Sequence, residues 1–177
     1  NLAYDICAIP ILLTVLYVVK TQRQAPFAQN RCYFLLVLSV LGLALSDMFD
    51  AITIMKPSVF PNFVIYITSY LYFTFINIVS FMIVVYDKSM KEVKSPREQK
   101  ILNYSLYIPE VVSLLFICTN FLHKGLFVYD SQMQYSRGSL QFLNYVFSAY
   151  FIAYAIIYIF INRKNVSIRN GRYIYIV

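Results

Sequence analysis

The chain has 177 residues, the length of one ordinary domain, with 60% hydrophobic residues, 13% charged residues and a formal net charge of +7. Soluble domains carry roughly 45–50% apolar and about 25% charged residues, so this chain has too little polar surface to cover a soluble globule. With 17 Tyr, 15 Phe, no Trp, 4 Gly and 3 Cys, it also excludes a disordered chain, a collagen-like chain and a disulfide-rich secreted scaffold.

The first apolar segment runs 2–19. It has no basic N-terminal region and Lys20 follows it directly, so it predicts a spanning helix rather than a signal peptide. Asp5 lies near its start, where water can solvate it. A basic connection with Lys20, Arg23 and Arg31 leads to the second segment, 33–55, which carries Asp47 and Asp50. Three residues apart, these two carboxylates share one helix face, with Asp47 the deeper. Carboxylates at depth need a partner or water. The pair predicts either a ligand-facing, water-filled cavity or an interhelical hydrogen-bond site.

The third segment, 63–86, follows a short connection containing Lys56. Thr74, Asn77 and Ser80 recur every three residues, a spacing suited to hydrogen bonds across a bundle. Tyr70 and Tyr72 are two apart and point to different faces, so they do not form one aromatic site. The next connection holds Lys88, Lys91, Lys94, Arg97 and Lys100, interrupted by Pro96. Basic residues every three positions make no helical stripe; the loop reads as a solvated topogenic segment, with anionic lipid as its alternative contact. The fourth segment, 101–122, places Glu110 near its middle, directly after Pro109. Proline frees backbone carbonyls, so this point reads as a hinge, a proton or ion site, or a structural polar contact.

The connection 123–139 is the longest, and no connection is long enough for a folded soluble domain. Leu126, Phe127 and Val128 precede Tyr129 and Asp130; Tyr135 and Arg137-Gly138 follow. The pattern predicts a strand, a turn at 130–132 and a second strand, a hairpin capping one mouth of the bundle. Asp130 and Arg137 are expected to pair with each other or to contact a small ligand. The fifth segment, 140–161, has Tyr150, Tyr154 and Tyr158 roughly on one face, as a packing seam or an aromatic ligand box. After Arg163, Lys164, Arg169 and Arg172, a sixth apolar run starts at Tyr173 and reaches Val177.

Each of the five segments has 18 to 24 residues. A helix needs roughly 20 to cross a hydrocarbon core of about 30 Å. The fold class is therefore an all-α polytopic transmembrane helix bundle, a single membrane domain with five complete spans and the start of a sixth. Twelve of the fifteen Lys and Arg fall in the first, third and fifth connections, and only Lys56, Lys124 and Arg137 in the other two. By the positive-inside rule the N-terminus lies outside the cell membrane. The charge thus reads as a topology signal, and nucleic acid is not expected as a partner.

No P-loop, GxGxxG, HExxH or GxSxG occurs, so no catalytic residue, cofactor or metal is assigned. Cys7, Cys32 and Cys118 form no metal or disulfide pattern and read as apolar cysteines. His123, the single His, cannot build a typical zinc site.

Asn30-Arg31-Cys32-Tyr33-Phe34-Leu35-Leu36, followed by Asp47 or Asp50, resembles the entry to the second helix in the membrane sensor regions of Firmicute-type GGDEF diguanylate cyclases. Thr119, Asn120, Phe121, Phe127, Tyr129, Asp130, Tyr135, Arg137, Gly138 and Leu140 stand in an order similar to that family's outer loop. Ser139 and Phe121 stand where the family has prolines. The likeness runs from about residue 3 to 162. It implies a signal-input domain in the bilayer, with a small extracellular ligand and a covalently linked cytoplasmic output domain. Topology adds an independent expectation: with the N-terminus outside, a seventh helix is needed to reach a cytoplasmic effector, so the chain is expected to be a fragment cut in helix six, with a homodimer as a further expected partner. Asn120, Phe127, Tyr129, Asp130, Tyr135, Arg137 and Gly138 become candidate ligand contacts, and Asp47, Asp50, Asn77 and Glu110 candidate intramembrane polar residues.

Other classes stay open. The output domain is a diguanylate cyclase or a histidine kinase. A small transporter or channel would use Asp47, Asp50 and Glu110, but no internal repeat is visible. A rhodopsin-like receptor shares the topology and the look of Leu43-Ala-Leu-Ser-Asp47. Its third helix would end Asp-Arg-Tyr, whereas this one ends Tyr86-Asp87-Lys88.

Overall fold

The computed structural model describes residues 2–21, 27–90 and 96–162. The expected sixth segment and Arg23, Lys91, Lys94, Arg163, Lys164, Arg169 and Arg172 lie outside the described residues.

The architecture is helical, as composition requires. Helices α1 (Leu2–Thr21), α2 (Phe27–Met55), α3 (Asn62–Ser89), α4 (Pro96–Cys118), the one-turn α5 (Asn120–His123) and α6 (Gln141–Asn162) follow in chain order. Strands β1 (Phe127–Tyr129) and β2 (Tyr135–Arg137) lie between α5 and α6. Five of the helices are long and apolar enough to cross a membrane: α1, α2, α3, α4 and α6. Their outward faces are apolar, with Ile11 on α1, Phe49 on α2, Ile67 on α3, Val111 on α4 and Ile157 on α6 all exposed. The inward faces of α2, α3, α4 and α6 carry Ser, Thr or Asn, such as Thr53, Asn77, Ser113 and Asn144. This reversal of the usual soluble arrangement suits hydrocarbon, where small and polar residues join helices and apolar ones meet lipid.

Proline sets several boundaries. Pro57 opens a 3₁₀ turn, Pro57–Val59, directly after α2, and Pro61, with an extended backbone, caps α3. Helix α4 begins at Pro96, where a missing N–H costs nothing because the first turn leaves it unpaired anyway. Helix α2 starts six residues before the expected segment, because Phe27–Tyr33 is helical although Gln29, Asn30 and Arg31 are too polar to register in an apolar run.

The expected fourth segment, 101–122, is corrected. The long helix stops at Cys118, Thr119 breaks it, and α5 is capped after His123 by Lys124 in the left-handed region (φ 49°). The apolar composition continues, but the buried Asn120 turns its amide to the loop backbone. Its Oδ1 accepts from Leu126 N (2.8 Å) and its Nδ2 donates to Phe127 O (3.1 Å). Those bonds draw the chain off the helix axis.

Helix α3 is central and packs on α2, α4 and α6, whereas α1 packs chiefly on α2. Two apolar clusters form the core. One, at the hairpin end, joins Ile65 and Phe73 of α3, Ile117 of α4, and Leu126, Phe127 and Tyr129. The other joins Val84 of α3, Leu106 of α4, and Phe151 and Ala155 of α6.

Candidate functional site at the hairpin end of the bundle

Strands β1 and β2 pair antiparallel, with Phe127 opposite Arg137, Val128 opposite Ser136 and Tyr129 opposite Tyr135. The expected hairpin is present and its alternation decides its orientation. Phe127 and Tyr129 point inward and are buried, while Val128 between them is half-exposed. Phe127 stacks on Phe73 (centroids 5.6 Å apart, planes at 4°) and meets Tyr70 edge-on at 5.1 Å.

Tyr70 and Tyr72, expected on separate faces, both pack against this one cluster. Their faces do differ, but Phe127 reaches Tyr70 while Tyr72 meets Phe73 edge-on, so the inserted ring joins the two.

The turn is closed by Asp130. Its Oδ1 accepts from Gln132 N (2.9 Å) and Gln134 N (2.8 Å). The expected Asp130–Arg137 pair is not formed: the carboxylate serves the turn backbone at one end of the hairpin, whereas Arg137 sits opposite Phe127 at the other. Two further bonds tie the hairpin base, from Gly138 N to Leu126 O (2.9 Å) and from Leu140 N to Gly125 O (2.8 Å).

His123 braces the hairpin from the side. Gly125 N donates to its Nδ1 (2.8 Å), so the ring proton sits on Nε2, which donates to Phe116 O (3.0 Å). The ring also stacks on Phe116 at 4.8 Å.

Beneath the hairpin lies a hydrogen-bonded chain. The hydroxyl of Tyr129 is 2.6 Å from Ser69 Oγ, and Ser69 donates to Asp50 Oδ1 at 2.5 Å. Since the Ser69 proton goes to the carboxylate, Tyr129 is the donor to Ser69. The chain thus runs from β1 through α3 to α2. Thr53 and Thr68, 3.1 Å apart, add a second link between α2 and α3.

Asp50 is therefore the buried member of the acidic pair, at 8% exposure, and Asp47 is only partly buried. Asp47 lies nearer the middle of α2, but its side chain turns towards α1, where it meets Asp5. Tyr72 and Tyr135 pack on the same hairpin-end cluster, and Asp47, Asp50, Tyr135 and Tyr145 all act electrostatically on the Tyr72 phenol. Gln141 Nε2 links Tyr135 and Tyr145, 3.4 Å from each hydroxyl.

The candidate residues at the hairpin thus separate into two groups. Asn120, Phe127 and Tyr129 are buried and hold the hairpin to the bundle. Asp130 and Arg137 are exposed, Tyr135 and Gly138 half-buried. Asn77 and Glu110 are buried midway along α3 and α4, away from the hairpin. Asn77 does bond across the bundle, to Asn144 Oδ1 at 2.7 Å, whereas Ser80 bonds back to Ile76 O of its own helix. Of the tyrosine seam on α6, Tyr150 reaches Ser105 O of α4 at 2.9 Å and Tyr154 stacks on Tyr158, a packing role.

Ser69, Asn144 and Ser148 were missed in the sequence; the i, i+4 spacing of the last two on α6 was the available signal. Among the described residues no group of three His, Cys, Asp or Glu is placed to hold a metal ion.

No protein-family model, curated protein or solved structure matches the chain.

Burial pushes the Tyr129 phenol up to about 12, and raises that of Tyr135. A phenol raised on folding keeps its proton in the folded state, so its contribution is complete below the ordinary value of about 10 and falls as pH rises towards 12. Near-ultraviolet absorption should show the hairpin phenols ionising in step with loss of hairpin protection above about pH 10. Titration of every tyrosine near the ordinary value, with the hairpin intact, would contradict the buried donor role.

Proposed function

We propose that this chain is the signal-input domain of a membrane signalling protein, with its N-terminus and hairpin outside the cell membrane. A small extracellular ligand engages the exposed hairpin residues Asp130 and Arg137, together with Tyr135 and Gly138. The stimulus passes through the helix bundle to a covalently linked cytoplasmic output domain, a diguanylate cyclase by the family resemblance. The chain itself carries no catalytic role in this reading.

The carrying observation is the link Tyr129–Ser69–Asp50, which joins the hairpin to α3 and α2 by two short hydrogen bonds. A ligand shifts an equilibrium only by binding one arrangement better than another. A hairpin bonded to two helices gives a ligand on its outer face that leverage, because displacing β1 displaces Tyr129.

The test is made on the full gene product. Tyr129→Phe keeps the ring and removes the hydroxyl, a loss of roughly 1–3 kcal/mol for the partner left behind. The expected result is a fold that persists while output activity stops responding to the stimulus. Sequencing the gene beyond Val177 is the companion measurement. Finding no output domain there would refute the reading, and so would stimulus-dependent output unchanged by Tyr129→Phe.

A further inference from the structure

A second polar assembly lies between the two apolar clusters on α3 and α4 and takes in Asn144 and Ser148 from the first half of α6. On α3, Phe73 belongs to the cluster at the hairpin end and Val84 to the other, and Asn77 and Ser80 lie between them. On α4, Ile117 and Leu106 occupy the same two clusters, with Ser113 and Glu110 between. On α6, Asn144 and Ser148 precede Phe151 and Ala155 of the second cluster. The ring contacts Phe81–Tyr107 (5.5 Å) and Phe81–Phe151 (5.7 Å) align the three helices in this register. The result is a polar layer with apolar packing on both sides along α3 and α4, joined from α6 by Asn144 and Ser148.

All six polar residues are buried, and Asn77, Ser113 and Asn144 have no exposure at all. Asn77 Nδ2 donates to Asn144 Oδ1 (2.7 Å), and Ser148 Oγ donates to Asn77 Oδ1 (3.3 Å). Ser113 donates to the Glu110 carbonyl (2.9 Å) and lies against its carboxyl. Two atoms remain without partners: Oε2 of Glu110, an acceptor, and Nδ2 of Asn144, a donor. Glu110 is 7% exposed, and the described Lys and Arg residues sit at helix ends or in connections, outside this layer.

A buried polar atom without a partner is unfavourable, and a buried carboxylate without a counter-ion much more so. The orphaned pair is complementary. Water that accepts from Asn144 Nδ2 and, directly or through a second water, donates to Glu110 Oε2 satisfies both, and the layer's hydroxyls and amides offer further partners.

We propose that this layer is a buried water and proton site, with Glu110 as the group that binds the proton and Asn144 as the residue that anchors the water. On protonation an O–H bond forms at the carboxylate and one O–H bond of a hydronium breaks, leaving a neutral water on Asn144. The titratable groups that flank the layer along the packed elements are phenols, Tyr104 and Tyr107 on α4 and Tyr145, Tyr150 and Tyr154 on α6. On α3 they are Tyr70 and Tyr72 to one side and Tyr86, Asp87 and Lys88 to the other. None lies within the layer, so its net charge is set by Glu110.

Infrared difference spectroscopy on the full protein in lipid nanodiscs tests this. The wild type should show a protonated-carboxyl band that titrates between about pH 4 and 10 and is absent in Glu110→Gln. Asn144→Leu removes the water's donor, destabilises the ionised form and should tighten proton binding about tenfold, a midpoint about one pH unit higher. In the unaltered protein, exchange into heavy-oxygen water should shift a non-bulk O–H band that Glu110→Gln abolishes, a readout independent of how well Asn144→Leu folds. Identical spectra for wild type and Glu110→Gln across that pH range would overturn the proton site. Absence of the heavy-oxygen shift would overturn the water. Both readouts are independent of what the protein signals.

Discussion

Gly138→Val is expected to detach the hairpin from its base. A Cβ at position 138 would lie 2.1 Å from the carbonyl oxygen and 2.2 Å from the carbonyl carbon of Gly125. Both are backbone atoms, so no rotamer change relieves the clash. The strands must move apart, and the bonds Gly138 N to Leu126 O and Leu140 N to Gly125 O go with them. Overpacking typically costs about 1–3 kcal/mol, and a backbone clash with two lost hydrogen bonds belongs at or above the upper end. Hydrogen exchange of the Gly138 and Leu140 amides and thermal unfolding in detergent measure it. Unchanged protection at both amides would show that the close approach of the two glycines is not required. The same geometry gives Gly138 a packing reason to be glycine.

Phe127→Ala should be comparably severe for a different reason. Its ring is 1% exposed and packs against Phe73, Tyr70, Tyr66 and Tyr129. Removing a buried Phe leaves a cavity and typically costs about 3–5 kcal/mol. Here the loss falls on the cluster that seats Tyr129, so the Tyr129–Ser69–Asp50 chain should loosen with it. The control is Phe121→Ala, at 68% exposure, expected to change stability by no more than about 0.5 kcal/mol. Equal effects of the two substitutions in thermal unfolding would mean that the hairpin core does not hold the hairpin.

The difference between these two phenylalanines was not visible in the sequence. Phe121 and Phe127 are six residues apart, and neither carries a local signal of burial. Strand alternation turns Phe127 inward, whereas Phe121, on α5, faces out. The strands themselves were legible, because Leu126-Phe-Val-Tyr and the turn residues after it carry local signals. The pairing of Asp130 with Arg137 was expected from opposite charges close in sequence. Antiparallel register separated them and gave Asp130 to the turn. At the end of α4, apolar composition alone extended the helix past Thr119, and the side-chain bonds of Asn120 to a loop six residues on ended it.

The long apolar runs by themselves determined the five long helices among the described residues, because a helix satisfies its backbone polar groups within the segment and its length follows from residue count. Alternation and turn residues likewise determined the hairpin. Which polar side chains meet was decided by tertiary structure alone. Ser69 joins Asp50 and Tyr129 across 19 and 60 positions of sequence, and Asn77 joins Asn144 across 67. Periodicity places each residue on a face of its own helix. Only the rotation and depth of that helix against its neighbours select the partner, and these are set by packing that no local pattern encodes.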